Sequence, residues 1–110
     1  MNRQQQIDAF LLEAHRLALS RLRVQPERIA EVANTLARWR RRAGPTRSDR
    51  YWDEWQSLLD AGIDAVEAQA CGADEHAAQL RNVSPMGVLI TARERGELLR
   101  AARRSGDAPQ

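Results

Sequence analysis

The densest run of side chains able to do chemistry is Cys71-Gly-Ala-Asp74-Glu75-His76. A thiol, carboxylates and an imidazole are all metal-ligand types. A closed zinc site needs further ligands at one of a few spacings. Cys71 is the only cysteine, and the only other histidine is His15. The run therefore reads as a small apolar Cys71 followed by two acids that favour a helix start. A Cys71–His76 nucleophile pair would need hydrogen-bond reach and a third orienting group. The intervening Gly72 leaves that reach undefined in sequence. His15, between Leu12 and Leu19, reads as a partly buried packing residue. Gly87 and Gly96 form neither a dinucleotide-binding nor a Walker pattern. The sequence thus offers no catalytic residue, metal ligand or cofactor site, and the expectation is a chain that is not an enzyme.

The sharpest feature is Arg38-Trp39-Arg40-Arg41-Arg42, followed by Arg47 and Arg50. These guanidiniums suit phosphates, and Trp39 suits stacking on a base. They equally suit an acidic protein surface, or a solvated helix end paired with acids of the same chain. A second cluster, Tyr51-Trp52-Asp53-Glu54-Trp55, packs three aromatics into five positions of a chain that is only 5% aromatic. One small core does not easily bury Trp39, Trp52 and Trp55 completely. Trp, Tyr and Arg are the types enriched at interaction hot spots. The expected protein interface is Trp39, Tyr51, Trp52, Trp55, Arg38, Arg40, Arg41 and Arg42. The nucleic-acid alternative uses Arg38, Arg40, Arg41, Arg42, Arg47 and Arg50.

The distribution of charge decides between these. The chain has 110 residues, one domain's worth, with 43% hydrophobic and 29% charged residues. All 17 basic residues are Arg, against 15 acids, for a net charge of +2. That small sum hides blocks: +1 over 1–37, +5 over 38–50, −7 over 51–80 and +4 over 81–104, with Asp107 beyond. A basic helix end, an acidic aromatic helix and a basic final helix make a dipolar surface. Such a surface favours docking with another protein, or with a second copy of the chain, over binding a polyanion. The lack of Lys beside abundant Arg and Ala points to a GC-rich, bacterial genome.

No apolar run reaches the ~20 residues of a membrane span. Asp8 and Glu13 fall where a secretory signal would carry its uncharged apolar stretch. One cysteine excludes an internal disulfide framework. These features lead to the expectation of a cytoplasmic location and no membrane partner.

The elements that must position these residues are all helical. Ile7, Phe10, Leu11, Ala14, Leu17, Ala18 and Leu22 keep helical spacing from about Gln4 to Arg23. Pro26 and Glu27 open a second helix, closed by Arg40 to Arg42 and Gly44-Pro45. These two segments are expected to form an antiparallel hairpin. A third helix runs from about Ser48 to Ala61, where Gly62 is placed to end it in the left-handed conformation. Ile63–Ala70 and Asp74–Arg81 are short helices, Asp74 being an N-cap. Ser84-Pro85 starts a single turn. Thr91-Ala-Arg-Glu94 is a capping box for a last helix to about Arg104. Gly96 costs that helix roughly 1 kcal/mol relative to Ala, which a close helix–helix approach or a kink would explain. A helix-turn-helix does not fit, because the capping box starts one continuous helix and too little chain follows Gly96. The expected architecture is all-α, a compact bundle of about five helices in a single domain over 1–104, with a flexible tail at 105–110.

The run Leu80-Arg-Asn-Val-Ser84-Pro85-Met-Gly-Val-Leu-Ile-Thr91-Ala-Arg-Glu-Arg, with Trp52 and Trp55 upstream, resembles small bacterial antitoxin-like companion proteins. Some of those accompany toxin-like genes. The resemblance covers the second half of the chain and carries no catalytic or ligand motif. It implies a regulatory, partner-binding role, with a toxin-like gene neighbour as the partner.

Overall fold

Three of the six described helices begin where a side chain satisfies one of their first free N–H groups, at Asn2, Asp74 and Thr91. In the computed structural model, which describes residues 2–107 and the side chains of 2–104, Asn2 accepts from the Gln5 N–H (2.8 Å), and Gln5 returns the bond to the Asn2 N–H (3.0 Å). That reciprocal cap starts α1, Arg3–Val24. Pro26 cannot donate, and the chain makes a 3₁₀ turn at Pro26–Arg28 before α2, Ile29–Ala43. Gly44 ends α2 at φ 64°, in a region L side chains avoid. Asp49 then accepts from the Thr46 backbone and hydroxyl (both 3.2 Å), shaping the loop into α3, Asp49–Ala61.

Gly62 passes the chain from α3 to α4, Ile63–Ala70. Its φ of 116° and ψ of −180° are positive-φ but extended, not the left-handed helical conformation. Asp74 caps α5, Glu75–Asn82, by accepting from the Ala77 N–H (3.1 Å). Ser84 accepts from Met86 and opens a second 3₁₀ turn, Pro85–Leu89. Thr91 and Glu94 form the expected box, with Glu94 N–H to Thr91 Oγ1 at 3.1 Å and Thr91 N–H to Glu94 Oε1 at 2.8 Å. It starts α6, Ala92–Asp107. The tail expected at 105–110 overlaps this helix, whose backbone runs through 105–107, and 108–110 lie outside the described residues.

The fold is all-α: six helices and two 3₁₀ turns among the described residues, rather than about five helices. The core is built from Ala18, Leu19 and Leu22 of α1, Val32 and Leu36 of α2, Trp55 and Leu59 of α3, Val66 and Ala70 of α4, Leu80 of α5, and Met86 and Leu89 of the second turn. A smaller cluster, Phe10, Ala14 and Ala102, joins α1 to α6. Hence α1 lies mainly against α6 and α4, whereas α2 lies against the second 3₁₀ turn and α3. The expected hairpin of α1 and α2 is opened by this arrangement, and the two helices meet chiefly at the turn joining them. The wide apolar face of α1 is what allows it to serve several neighbours. Gly96 lies in continuous helix, and a methyl group there would meet only the helix's own Arg100, so no close helix approach explains it. None of the described helices is long and apolar enough to cross a membrane.

Candidate interaction surface

The arginine block sits at the C-terminal end of α2 and in the loop to α3. Cations there offset the negative end of the helix dipole. Arg38, Arg41, Arg42 and Arg47 are exposed, and among the described residues they make no ion pair. Arg40 alone reaches the acidic block, donating to Asp53 at 2.6 Å. Arg50 stands over the Tyr51 ring (4.8 Å to the centroid) and donates to its hydroxyl (3.1 Å).

The aromatic residues divide by depth. Trp55 is fully buried, and its indole N–H donates to the Leu80 carbonyl at 3.0 Å. It is a core anchor and drops out of the expected interface. Trp52 is half-buried, with its N–H on the Val83 carbonyl (3.1 Å). Trp39, also half-buried, tilts against Trp52 with ring centroids 6.3 Å apart. Tyr51 lies beside His76, whose Nε2 meets the Glu54 carboxylate at 2.7 Å. The structure therefore gathers Trp39, Tyr51, Trp52 and the Arg38–Arg50 stretch where α2 and α3 join.

The other acids of the 51–80 block have separate partners. Arg23, at the end of α1, donates to both Asp64 and Glu67 at 2.6 Å. Asp74 is spent on its cap. The two opposite blocks thus pair with each other through a single contact.

Cys71 and His76 are not brought together. Cys71 lines a cleft with Arg16, Ser20 and Glu67, whereas His76 lines another with Arg50 and Tyr51. Burial, and then the Glu67 charge, pushes the Cys71 thiol up, the opposite of nucleophile activation. Among the described residues no group of three His, Cys, Asp or Glu side chains could hold a metal ion.

Two arginines with structural roles were missed by the sequence reading. Arg21 clamps α1 to the start of α6: Nη1 donates to the Leu89 carbonyl (2.8 Å) and to Glu94 (2.6 Å), and Nη2 also meets Glu94. Arg21, then the Thr91 N–H, holds the Glu94 carboxyl down to about 2. Arg81 is buried, with Nη1 donating to the Ala70 (2.7 Å) and Gly72 (2.8 Å) carbonyls. The available signal for Arg81 was periodicity, since Ala77, Leu80 and Arg81 share one helical face and all three are buried.

His15 does pack in the interior. Leu11 O can only accept, so Nδ1–H donates to it (2.7 Å), and Nε2 accepts from the Ser84 hydroxyl (2.7 Å). The ring stacks on Trp55, and burial lowers its pKa to about 4. No protein-family model matches the chain, and neither does any curated protein or solved structure.

Proposed function

We propose that this chain is a non-enzymatic, regulatory protein-interaction module, an antitoxin-like partner that docks on an acidic surface of another protein. One observation carries the reading: four exposed arginines, which make no ion pair among the described residues, flank the half-buried Trp39–Trp52 pair in sequence. Half-buried aromatics supply apolar contact area at little entropic cost, and the arginines steer encounter and set register. The intended interface is Trp39, Tyr51, Trp52, Arg38, Arg41 and Arg42, with Arg40 positioned by Asp53.

The test is co-purification with the product of the adjacent gene, together with the mass of the isolated chain in solution. Arg41→Glu and Trp39→Ala are expected to weaken the complex at least about tenfold, roughly 1.4 kcal/mol, with folding intact. A strictly monomeric chain whose partner binding ignores both substitutions would overturn the reading.

A second reading, nucleic-acid binding, is favoured by the engagement of the nearest acids: Asp49 holds Thr46 and Asp53 holds Arg40. It predicts retardation of duplex or single strand at low salt. The logarithm of affinity would then fall against log salt with a slope of about −0.9 per phosphate contact. Absence of retardation removes it.

A further inference from the structure

We propose that the cleft bounded by α1, α5, the second 3₁₀ turn and the start of α6 binds a small organic carboxylate between the guanidiniums of Arg81 and Arg95. The cleft measures about 180 Å³. A cavity of roughly 150 Å³ accepts benzene, so the fitting ligand is of benzoate size.

Its walls suit an anion with an apolar body. Phe10, Met86 and Ile90 supply the apolar part, and Arg81, Arg95 and Ser84 the polar part. No acidic side chain lines the cleft among the described residues. Arg81 is the unusual member. It is 6% exposed, and buried charges ordinarily sit against an opposite charge. Here Nη1 has only two carbonyls, Nε is buried with no acceptor, and among the described residues no carboxylate pairs with the group.

Arg95 brings the second charge. Its guanidinium carbon stands 5.8 Å from the Phe10 ring centroid. A methyl group on Gly87 would fall 2.9 Å from Arg95 Nη2, so an alanine at 87 would displace the flexible end of that side chain from its place at the cleft. His15 has no free nitrogen to offer the ligand, since its two nitrogens are taken by the Leu11 carbonyl and the Ser84 hydroxyl.

The experiment titrates the full chain with benzoate, with benzamide as a neutral isostere and with inorganic phosphate, at matched ionic strength. The readouts are isothermal titration calorimetry and amide shifts at Ser84, Gly87 and Arg95. Benzoate is expected to bind with a dissociation constant on the order of 1 mM or tighter, and benzamide at least about tenfold more weakly. Arg95→Gln and Gly87→Ala act at a flexible, exposed side chain and are expected to keep the fold while weakening benzoate at least about tenfold. Equal binding of benzamide overturns the charge assignment, and binding of phosphate alone overturns the carboxylate assignment. No benzoate binding, or affinity unchanged in both variants, overturns the site.

Discussion

His15 joins two elements through one polar relay. Met86 N–H donates to Ser84 Oγ, Ser84 O–H donates to Nε2, and Nδ1–H donates to the Leu11 carbonyl, so α1 is tied to the second 3₁₀ turn by a neutral ring. Protonation would place a charge in a buried site near Arg81, against the stacked face of Trp55. The folded state holds the pKa at about 4, below the ordinary 6.5, so the unfolded chain takes up the proton first as pH falls. The contribution is therefore fully present above pH 6.5 and is lost on going down to pH 4; a shift of this size corresponds to about 3 kcal/mol. Urea unfolding across this range is expected to show that loss, and His15→Gln is expected to flatten it. A wild-type midpoint that stays level between these pH values would contradict the assignment. Trp55, against the same ring, fills the centre of the core. Trp55→Ala is expected to cost about 3–5 kcal/mol in denaturant unfolding, a large share of a small domain's stability. An effect below about 1 kcal/mol would mean that the site is not packed.

At the scale of elements, two glycines with different backbones make opposite predictions. Gly62 is held at φ 116°, and a methyl group there would meet nothing within 4 Å, so its cost is conformational and not steric. Gly62→Ala is expected to destabilise by about 1–3 kcal/mol. Gly96 has ordinary helical geometry and only the flexible Arg100 side chain nearby. Gly96→Ala is expected to stabilise by about 0.4–1 kcal/mol, because the unfolded chain loses freedom and the helix loses nothing. Thermal unfolding of the two variants checks both signs; a destabilised Gly96→Ala would reveal a contact that the helix interior does not display. These cases bear on what was legible. Caps at Asp74, Ser84 and Thr91, and the stop at Gly44, are local chemistry between residues two to four apart, so sequence displays them. The opening of the α1–α2 hairpin is not local: it follows from Met86 and Leu89 sharing the core with Val32 and Leu36, about fifty residues away in the chain. Apolar periodicity says that a face is buried but not against which partner.

Across the whole molecule, the charge blocks were visible in sequence and their pairing was not. A run of like charges does not reveal which distant cation will reach it, and here the acids of α4 are met by Arg23 of α1. Depth was hidden for the same reason. Trp52 and Trp55 differ by three positions on one helix, yet Trp55 alone is fully buried, because α5 passes over it. The result separates what stabilises the fold from what stays available at the surface. The core is apolar, while the Arg23 and Arg40 bridges are largely exposed and so contribute little, with a typical net value of about 0–1 kcal/mol per pair. Going from about 0.1 M to about 1 M salt shortens the Debye length from ~10 Å to ~3 Å. Folding stability is then expected to change by no more than about 1 kcal/mol, because apolar burial is not screened. Docking through Arg38, Arg41, Arg42 and Arg47 is expected to weaken at least about tenfold over the same range, since those charges act across solvent. Urea midpoints and partner affinity measured at both salt concentrations test the separation. A fold that loses most of its stability in high salt would show the bridges to be structural, and a salt-independent complex would move the interface away from the arginine block.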